Sequence, residues 1–564
     1  MPSPAVTPTG RSVLRGVVSG QRRRVLAASV LAAGHQGGEA LVPVVIGIVL
    51  DRAVADSSAL TLLGWLAVLA LVFLVLSCSY RFGARAAERA SELAAHDLRL
   101  AVSRRVLHSR GGADSGALAG ELASIGTSDA RRAGRVGAVL PFGVAALAGL
   151  VVSAVALLRM SVPLGLLVLL GTPPLLLLAH VIGKPLEKRS ELEQERAAHA
   201  SGVAADLVSG LRVLKGIGAE PAAVARYRRT SQDSLRATIR AARAQAWHNG
   251  ALLALTGVFI AIVALTGGSL AANGEISVGD LVAAVGLAQY LQTPFTIFAW
   301  VNSQLAQGRA SAARVAAVLA APPAVPDGTG ELPVPSSGAV TLSQVWHGKL
   351  AGLDLDVRPG ELVGVVTADP AAATDLLDCL GRFADPARGT VRIDAVDLST
   401  VDPERAREVV LVAAHDSDLF EGTMSDNVRG ARAVIPDGVL AASAADEVAA
   451  TLPSGTATAV TERGRSLSGG QRQRVALARA LAADAPVLVL HDPTTAVDTV
   501  TESRIAAGIA HLRRNRTTIV VTTSPALLAA ADRVVLVENG QAIAEGGHAD
   551  LVRTEAGYRT AVLS

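Results

Sequence analysis

The chain has 564 residues, half of them apolar and only 3 % aromatic. Its mean hydropathy of +0.41 is too high for a purely soluble chain of this length, and its two cysteines, Cys78 and Cys379, exclude a disulfide framework. The net charge of +3 hides an asymmetry: residues 1–320 carry 31 basic against 18 acidic side chains, a net +13, whereas residues 336–564 carry 21 against 29, a net −8. Only four of the 52 basic residues are lysine, namely Lys184, Lys188, Lys215 and Lys349.

Six stretches, near 25–50, 58–80, 136–158, 160–183, 247–273 and 279–301, are long enough to cross a hydrocarbon core, which takes about 20 apolar residues. No charge falls between Arg135 and Arg159, nor between Arg159 and Lys184, and a soluble helix with a wet face does not read this way. With the N-terminus inside, the outer loops hold only Arg52 and Arg159, and all other arginines and lysines of this half are cytoplasmic. Both termini are therefore expected in the cytoplasm, and the first stretch reads as a retained span rather than a signal peptide.

Residues 81–134 and 184–246 are charged, rich in Ala, Leu and Arg, and helical in pattern. Each is expected to carry a membrane helix into the cytoplasm, turn and return, as a stalk of roughly 35–45 Å. Polar side chains inside the spans are few. His35 and Glu39, spaced i, i+4, share a helix face, and Gln289, Gln292 and Trp300 lie in the last span. Trp247, His248 and Asn249 open the fifth span. Two readings stay open for them: interhelical hydrogen bonding and headgroup anchoring, or a substrate pathway with His35, Glu39, Gln289 and Gln292 along it. Pro173–Pro174 and Pro294 are candidate kinks.

Residues 320–338 are rich in Pro and Gly without apolar periodicity, and mark a linker between a membrane domain at 1–319 and a soluble domain at 339–564. Beyond it, apolar strands are expected at Leu362–Val366, Val409–Val412, Val487–Leu490, Ile519–Thr522 and Val534–Val537, alternating with helices. That alternation predicts an α/β domain around a largely parallel sheet covered on both faces.

Ser466–Leu481, SLSGGQRQRVALARAL, resembles the signature motif of ABC transporters and the helix behind it. Thr458–Gly464 resembles the exporter-type loop that faces the membrane domain, and Pro486–Asp498, PVLVLHDPTTAVD, resembles the Walker B strand and D-loop. Arg516–Gly546 resembles the switch strand and closing segment, and residues 206–220 the second stalk of exporter-type members. The resemblance covers almost the whole chain. It implies a half-subunit with six transmembrane helices, long cytoplasmic stalks and a P-loop-type nucleotide-binding domain. Ser468 offers a hydroxyl, Gly469 and Gly470 permit close approach, and Gln471 lies in the first turn of a helix whose N–H groups face outward, which suits a γ-phosphate. The resemblance implies that a second nucleotide-binding domain presents that phosphate.

The chain's own phosphate loop departs from the family. A phosphate loop needs glycines for backbone approach, a lysine for the β- and γ-phosphates and a Ser or Thr for magnesium. Thr367, Pro370 and Ala372 stand at the family's glycines, Ala373 at its lysine, and Thr374 follows, while Asp369 and Asp375 bring negative charge. The only lysine of the domain, Lys349, precedes the strand. His415 stands at the Q-loop glutamine, His491 at the Walker B aspartate, Asp492 at the catalytic glutamate and Thr523 at the switch histidine. Losing these together removes most of the electrostatic stabilisation of phosphoryl transfer. Trp346 either stacks on adenine or packs ordinarily.

These departures imply a degenerate subunit of a bacterial heterodimeric transporter, with no catalytic residues on its own Walker site. ATP and magnesium would sit at the composite site formed with a second half-transporter whose Walker motifs are intact, with weak or no nucleotide at this chain's own site. Asp498, in the D-loop, would help join the two sites. The expected setting is the bacterial plasma membrane, with the lipid bilayer and a small amphipathic cargo as partners and no nucleic acid or bound metal. Export is the default direction. A siderophore importer of the same architecture, or a non-catalytic structural or regulatory membrane subunit, remain the alternatives.

Overall fold

The computed structural model describes residues 8–54, 59–113, 118–415 and 418–563. The chain divides into two compact units, one of residues 1–103 and 119–320, the other of residues 104–118 and 321–564.

In the first unit, every described element is helical. Its main elements are α1 (Gly10–Gly20), α2 (Arg22–Ile48), α3 (Ala59–Val106), α4 (Val136–Met160), α5 (Val162–Ser209), α6 (Glu220–Ala272), α7 (Val278–Tyr290) and α8 (Gln292–Ala320). Among the described residues, six helices are long and apolar enough to cross a membrane, α7 and α8 together making the sixth. The helices α2 and α4 pack together, as do α5 and α6, around a core that includes Leu157, Leu164, Val168, Val263, Leu287 and Leu291. Their other faces are as apolar: Leu253 and Leu265 are 75 % and 77 % exposed, a surface that suits hydrocarbon and not water. The helices α3, α5 and α6 run 48, 48 and 53 residues, so each rises about 70–80 Å at 1.5 Å per residue and continues well past a bilayer.

Prolines act unevenly here. Residues Pro173 and Pro174 lie inside α5, which stays one helix from Val162 to Ser209. The last span instead breaks at Leu291, between α7 and α8. Pro294 has no N–H for the carbonyl of Tyr290 four residues earlier, so the ladder lapses there. At the other end of α7, Asp51 accepts hydrogen bonds from the Ser277 hydroxyl and, at 2.8 Å, from the Gly279 N–H.

The second unit is α/β. Strands β1 (Val340–His347), β2 (Leu350–Val357), β4 (Arg388–Ile393) and β5 (Val396–Asp397) form an antiparallel sheet in the order β2-β1-β4-β5. A six-stranded sheet follows the order β10-β9-β3-β8-β7-β6, from β3 (Leu362–Thr367), β6 (Val410–Ala413), β7 (Val487–His491), β8 (Thr517–Val521), β9 (Arg533–Glu538) and β10 (Gln541–Gly546). All of its pairings are parallel except β9 with β10. The helices that matter for the site are α9 (Pro370–Leu380), α10 (Gly469–Ala482), α11 (Thr499–Leu512) and α12 (Ala556–Leu563).

The sheet's strands are apolar on both faces because both are covered. Val363, Val365, Val487, Val489, Ile519 and Val521 join the core that includes α9, while Leu362, Leu488, Leu490 and Val520 join the core that includes α10 and α11. The antiparallel sheet escaped the apolar-run reading because only alternate residues of its strands are buried.

Residues 104–113 are tied to this second unit by specific bonds. The Arg105 guanidinium donates to the Gly111 carbonyl at 2.9 Å and the Ala321 carbonyl at 2.7 Å. Arg407 donates to the carbonyls of Ser109, Gly381 and Arg382 at 2.6, 3.0 and 2.9 Å, with its guanidinium 4.4 Å from the Phe383 ring centroid. The bonds from Arg105 to Ala321 and from Arg407 to Ser109 are charge-assisted and hold that turn against the domain.

Candidate functional site

Parallel register decides which residues meet. Val521 pairs with His491 and Val537 with Thr367, so the carboxyl ends of β3, β7, β8 and β9 share one edge. Ligands of open parallel sheets bind at such an edge. A cavity of about 680 Å³ opens there, with walls that include Thr367, Pro370, Ala373, His491, Asp492 and Thr523. Glu538 and residues of α12, among them Gly557 and Thr560, complete it.

The helix α9 begins at this edge, and its N-terminus is occupied by the chain itself. Asp369 is its N-cap, with a carboxylate oxygen accepting the Ala371 N–H at 2.9 Å. Pro370, the first helical residue, has no N–H to offer. The Thr374 hydroxyl donates to the Pro370 carbonyl at 3.0 Å, and the side chains of Ala372 and Ala373 are buried in the core. Further along α9, burial pushes the Asp378 carboxyl above its ordinary pKa, offset in part by His347, and Asp375 adds to the rise. Burial pushes the Cys379 thiol up to about 12, with Asp378, Asp375 and Asp385 reinforcing it. The surroundings of α9 are thus electronegative.

At β7, the His491 and His415 rings lie 6.0 Å apart, and His491 Nε2 is 3.8 Å from the Asp492 carboxylate. Burial holds His491 below its ordinary pKa, Asp492 opposes that, and His415 adds to the depression. The Asp492 backbone has φ 43°, and its carbonyl accepts Gln473 Nε2 at 2.9 Å. Among the described residues, no arginine or lysine lines this cavity. Lys349 donates its backbone N–H to Asp375 at 2.6 Å and is not in the wall. Trp346, near the end of β1, is 43 % exposed.

The walls do not fit a magnesium-bound nucleoside triphosphate. A triphosphate needs cationic donors and free N–H groups at the helix N-terminus, and here the wall offers Asp492 and Glu538 while Asp369 caps the helix beside it.

The second helix N-terminus, of α10, is built differently. Ser468 is its N-cap, accepting the Gln471 N–H at 3.3 Å, while the Gln471 side chain accepts the Ser468 N–H at 2.9 Å. Gly470 runs so close to the Ala496 carbonyl that a Cβ would sit 2.5 Å from that oxygen, so glycine is required. Gly469 lies in the wall of a separate cavity of about 570 Å³ with Arg463, Arg465 and Arg472, against one acid, Asp418. Asp498 caps α11, accepting the N–H groups of Val500 and Thr501 at 3.1 and 3.0 Å, and these bonds hold its carboxyl below the ordinary range.

Within the membrane helices, His35 and Glu39 do share one cavity, of about 270 Å³. Gln289 instead lies on an exposed side of α7, and Gln292 accepts the Thr256 hydroxyl at 3.3 Å outside that cavity. Gln36, the partner of Glu39, and Tyr290, which holds Gln36, were not among the sequence candidates. Gln36 Nε2 donates to Glu39 at 2.9 Å and to the Tyr290 hydroxyl at 2.8 Å, and Tyr290 donates to the Gln36 carbonyl at 2.7 Å. The available signal was the cost of an amide in an apolar span; the partnership with Tyr290, 254 residues away, needed the fold.

Apolar helices long enough to cross a membrane, joined to a parallel-sheet domain with an LSGGQ-capped helix, define a membrane transporter with its ATPase-type domain in the same chain. Residues 25–295 match the ABC transporter transmembrane region and residues 350–495 match the ABC transporter domain. The ATP-dependent lipid A-core flippase of Desulfotalea psychrophila is 30 % identical over 387 residues, covering 67 % of this chain and 68 % of that protein. That of Thiobacillus denitrificans is 31 % identical over 407 residues, 70 % of each. A multidrug efflux ATP-binding/permease protein of Mycobacterium tuberculosis is 30 % identical over 547 residues, 94 % of this chain and 45 % of that protein. A bacterial Atm1-family ABC exporter solved with ATP bound shares the fold, with a TM-score of 0.73 at 24 % identity over 96 % of this chain and 97 % of that one. The chain belongs to the ABC transporter family, as a multi-pass membrane half-transporter of the exporter fold with its ATPase domain fused behind it.

Proposed function

We propose that this chain is the non-hydrolytic half of a heterodimeric ABC exporter of the plasma membrane, with both termini cytoplasmic. Its own Walker site neither turns over ATP nor binds it tightly. Through Ser468, Gly469, Gly470 and Gln471 it completes the site of a second half-transporter that brings an intact phosphate loop, and Asp498 helps join the two. ATP-driven closure at that one site then switches the membrane helices between inward- and outward-facing states for a small amphipathic cargo.

The observation that carries this reading is the self-capped α9. A carboxylate caps the helix N-terminus that would take a phosphate, and the cavity beside it has no arginine or lysine among its described residues. Chemistry that depends on neutralising a γ-phosphate has nothing to work with there. The arginine-flanked, serine-capped α10 keeps what a phosphate presented by another subunit requires.

The test is ATP hydrolysis by the purified chain, alone and co-purified with a half-transporter encoded beside it. Turnover only in the pair, abolished by Gly469→Asp in this chain, is the expected result. Turnover by the chain alone contradicts the non-hydrolytic assignment. Unchanged turnover with Gly469→Asp would instead favour a purely structural subunit.

A further inference from the structure

The cavity around Glu39 has a chemistry of its own. It lies among α2, α3, α4 and α8, with Glu39, His35, Tyr80 and Phe142 in its wall and small residues such as Ala32 and Ala145 between them. Glu39 is held by a neutral donor, Gln36 Nε2, which the buried Tyr290 hydroxyl in turn fixes. That anchoring is tight: a Cβ on Gly149 would lie 2.3 Å from the Tyr290 hydroxyl. Among the described residues, Glu39 has no ion-pair partner and no arginine or lysine lines the cavity; Arg81, next to Tyr80, lies outside the wall.

An ionisable side chain within an apolar span is costly unless something pairs with it. The His35 ring bonds backbone instead: its Nδ1 lies 3.0 Å from the Leu76 carbonyl, which can only accept, so Nδ1 carries a proton. The His35 and Tyr80 rings meet at 5.1 Å, and Phe142 packs edge-on against Trp300 at 5.4 Å. Aromatic rings beside a carboxylate, with no arginine or lysine in the wall, suit an organic cation.

We infer that this cavity is a binding site for a small organic cation, a quaternary or protonated amine with an apolar body, with Glu39 as its counter-ion. An anionic amphiphile is disfavoured by the same charge. The inference rests on the transport reading above by naming the class of cargo, yet its test uses neither ATP nor a second subunit, so the two fail separately.

The probe is radiolabelled phenyltrimethylammonium, titrated against the full chain in nanodiscs, with empty nanodiscs as background. Saturable binding is expected, displaced by unlabelled probe and not by benzenesulfonate. Glu39→Gln should weaken it at least tenfold, and Glu39→Asp should restore most of it. A second variant leaves Glu39 intact. Ser79→Cys, in the cavity wall, in a Cys78→Ser background, should prefer a trimethylammonium methanethiosulfonate over its sulfonate analogue at least tenfold more strongly than a small thiol in solution does. No saturable binding, or an affinity untouched by Glu39→Gln, overturns the inference, as does a preference no greater than that of the free thiol.

Discussion

Two helices of the ATPase domain begin where this fold receives phosphate, and they are finished in opposite ways. The helix α9 opens on Asp369 and Pro370, beside a cavity with Asp492 and Glu538 and no arginine or lysine among its described residues. The helix α10 opens on Ser468, with a reciprocal Gln471 cap and three arginines around the adjoining cavity. Both caps satisfy the helix, since an orphan N–H is as content with a carboxylate as with a hydroxyl. They differ in what remains for a ligand. A charged cap spends the positive end of the helix dipole on the protein itself, whereas a neutral one leaves that field for an incoming anion.

The largest effect that separates the two helices should come from Gly469→Asp. A carboxylate placed at the start of α10 gives it the character of α9, and ATPase of the co-purified pair should fall at least 100-fold. Converting α9 in the other direction, with Asp369→Ser, Pro370→Gly and Ala373→Lys together, restores N–H donors and a cation. A charge-assisted hydrogen bond contributes about 1.5–3 kcal/mol, so ATP binding to the purified chain should tighten by tenfold or more in equilibrium titration. An unchanged affinity would place the defect elsewhere than at α9.

Single cap removals sharpen the contrast. Asp369→Ala and Ser468→Ala should each cost about 1 kcal/mol, a fall in Tm of about 2–4 °C by calorimetry of the domain's transition. Only Ser468→Ala should also lower ATPase of the pair. The smallest effect is one of pH. Burial holds His491 below its ordinary value of 6.5, so the unfolded chain binds the extra proton first. Stability is therefore full above pH 6.5 and declines as pH falls below it, and His491→Asn should flatten that decline in urea titrations between pH 7 and 5.5.

Much of this was legible in the sequence, for identifiable reasons. Uninterrupted apolar stretches betray membrane helices, and LSGGQ before an amphipathic helix betrays the cap of α10. The five apolar strand runs lie in β3, β6, β7, β8 and β9, shifted by a residue or two at their ends, because burial on both faces leaves no alternation to misread. The substitutions at Ala373, His491, Asp492 and Thr523 could be read residue by residue, and the fold brings them to one cavity.

What stayed hidden depends on distance or direction. Asp369 was visible as negative charge near the loop, but its bond to the Ala371 N–H is a matter of backbone geometry. Glu538 and Gly557 reach the cavity from far along the chain through β9 and α12. In the last span, Gln289 looked more promising than Tyr290, yet one residue turns a helix by about 100°. That turn puts the glutamine on an exposed side and the tyrosine on Gln36.

The central claim is that one ATP is hydrolysed per pair, never in the cavity over α9. Vanadate trapping with a photoreactive ATP analogue, followed by separation of the two subunits, tests this most directly. The account predicts one trapped nucleotide per complex, crosslinked through the phosphate loop of the other subunit. Two trapped nucleotides, or label on residues 367–374 of this chain, would contradict it.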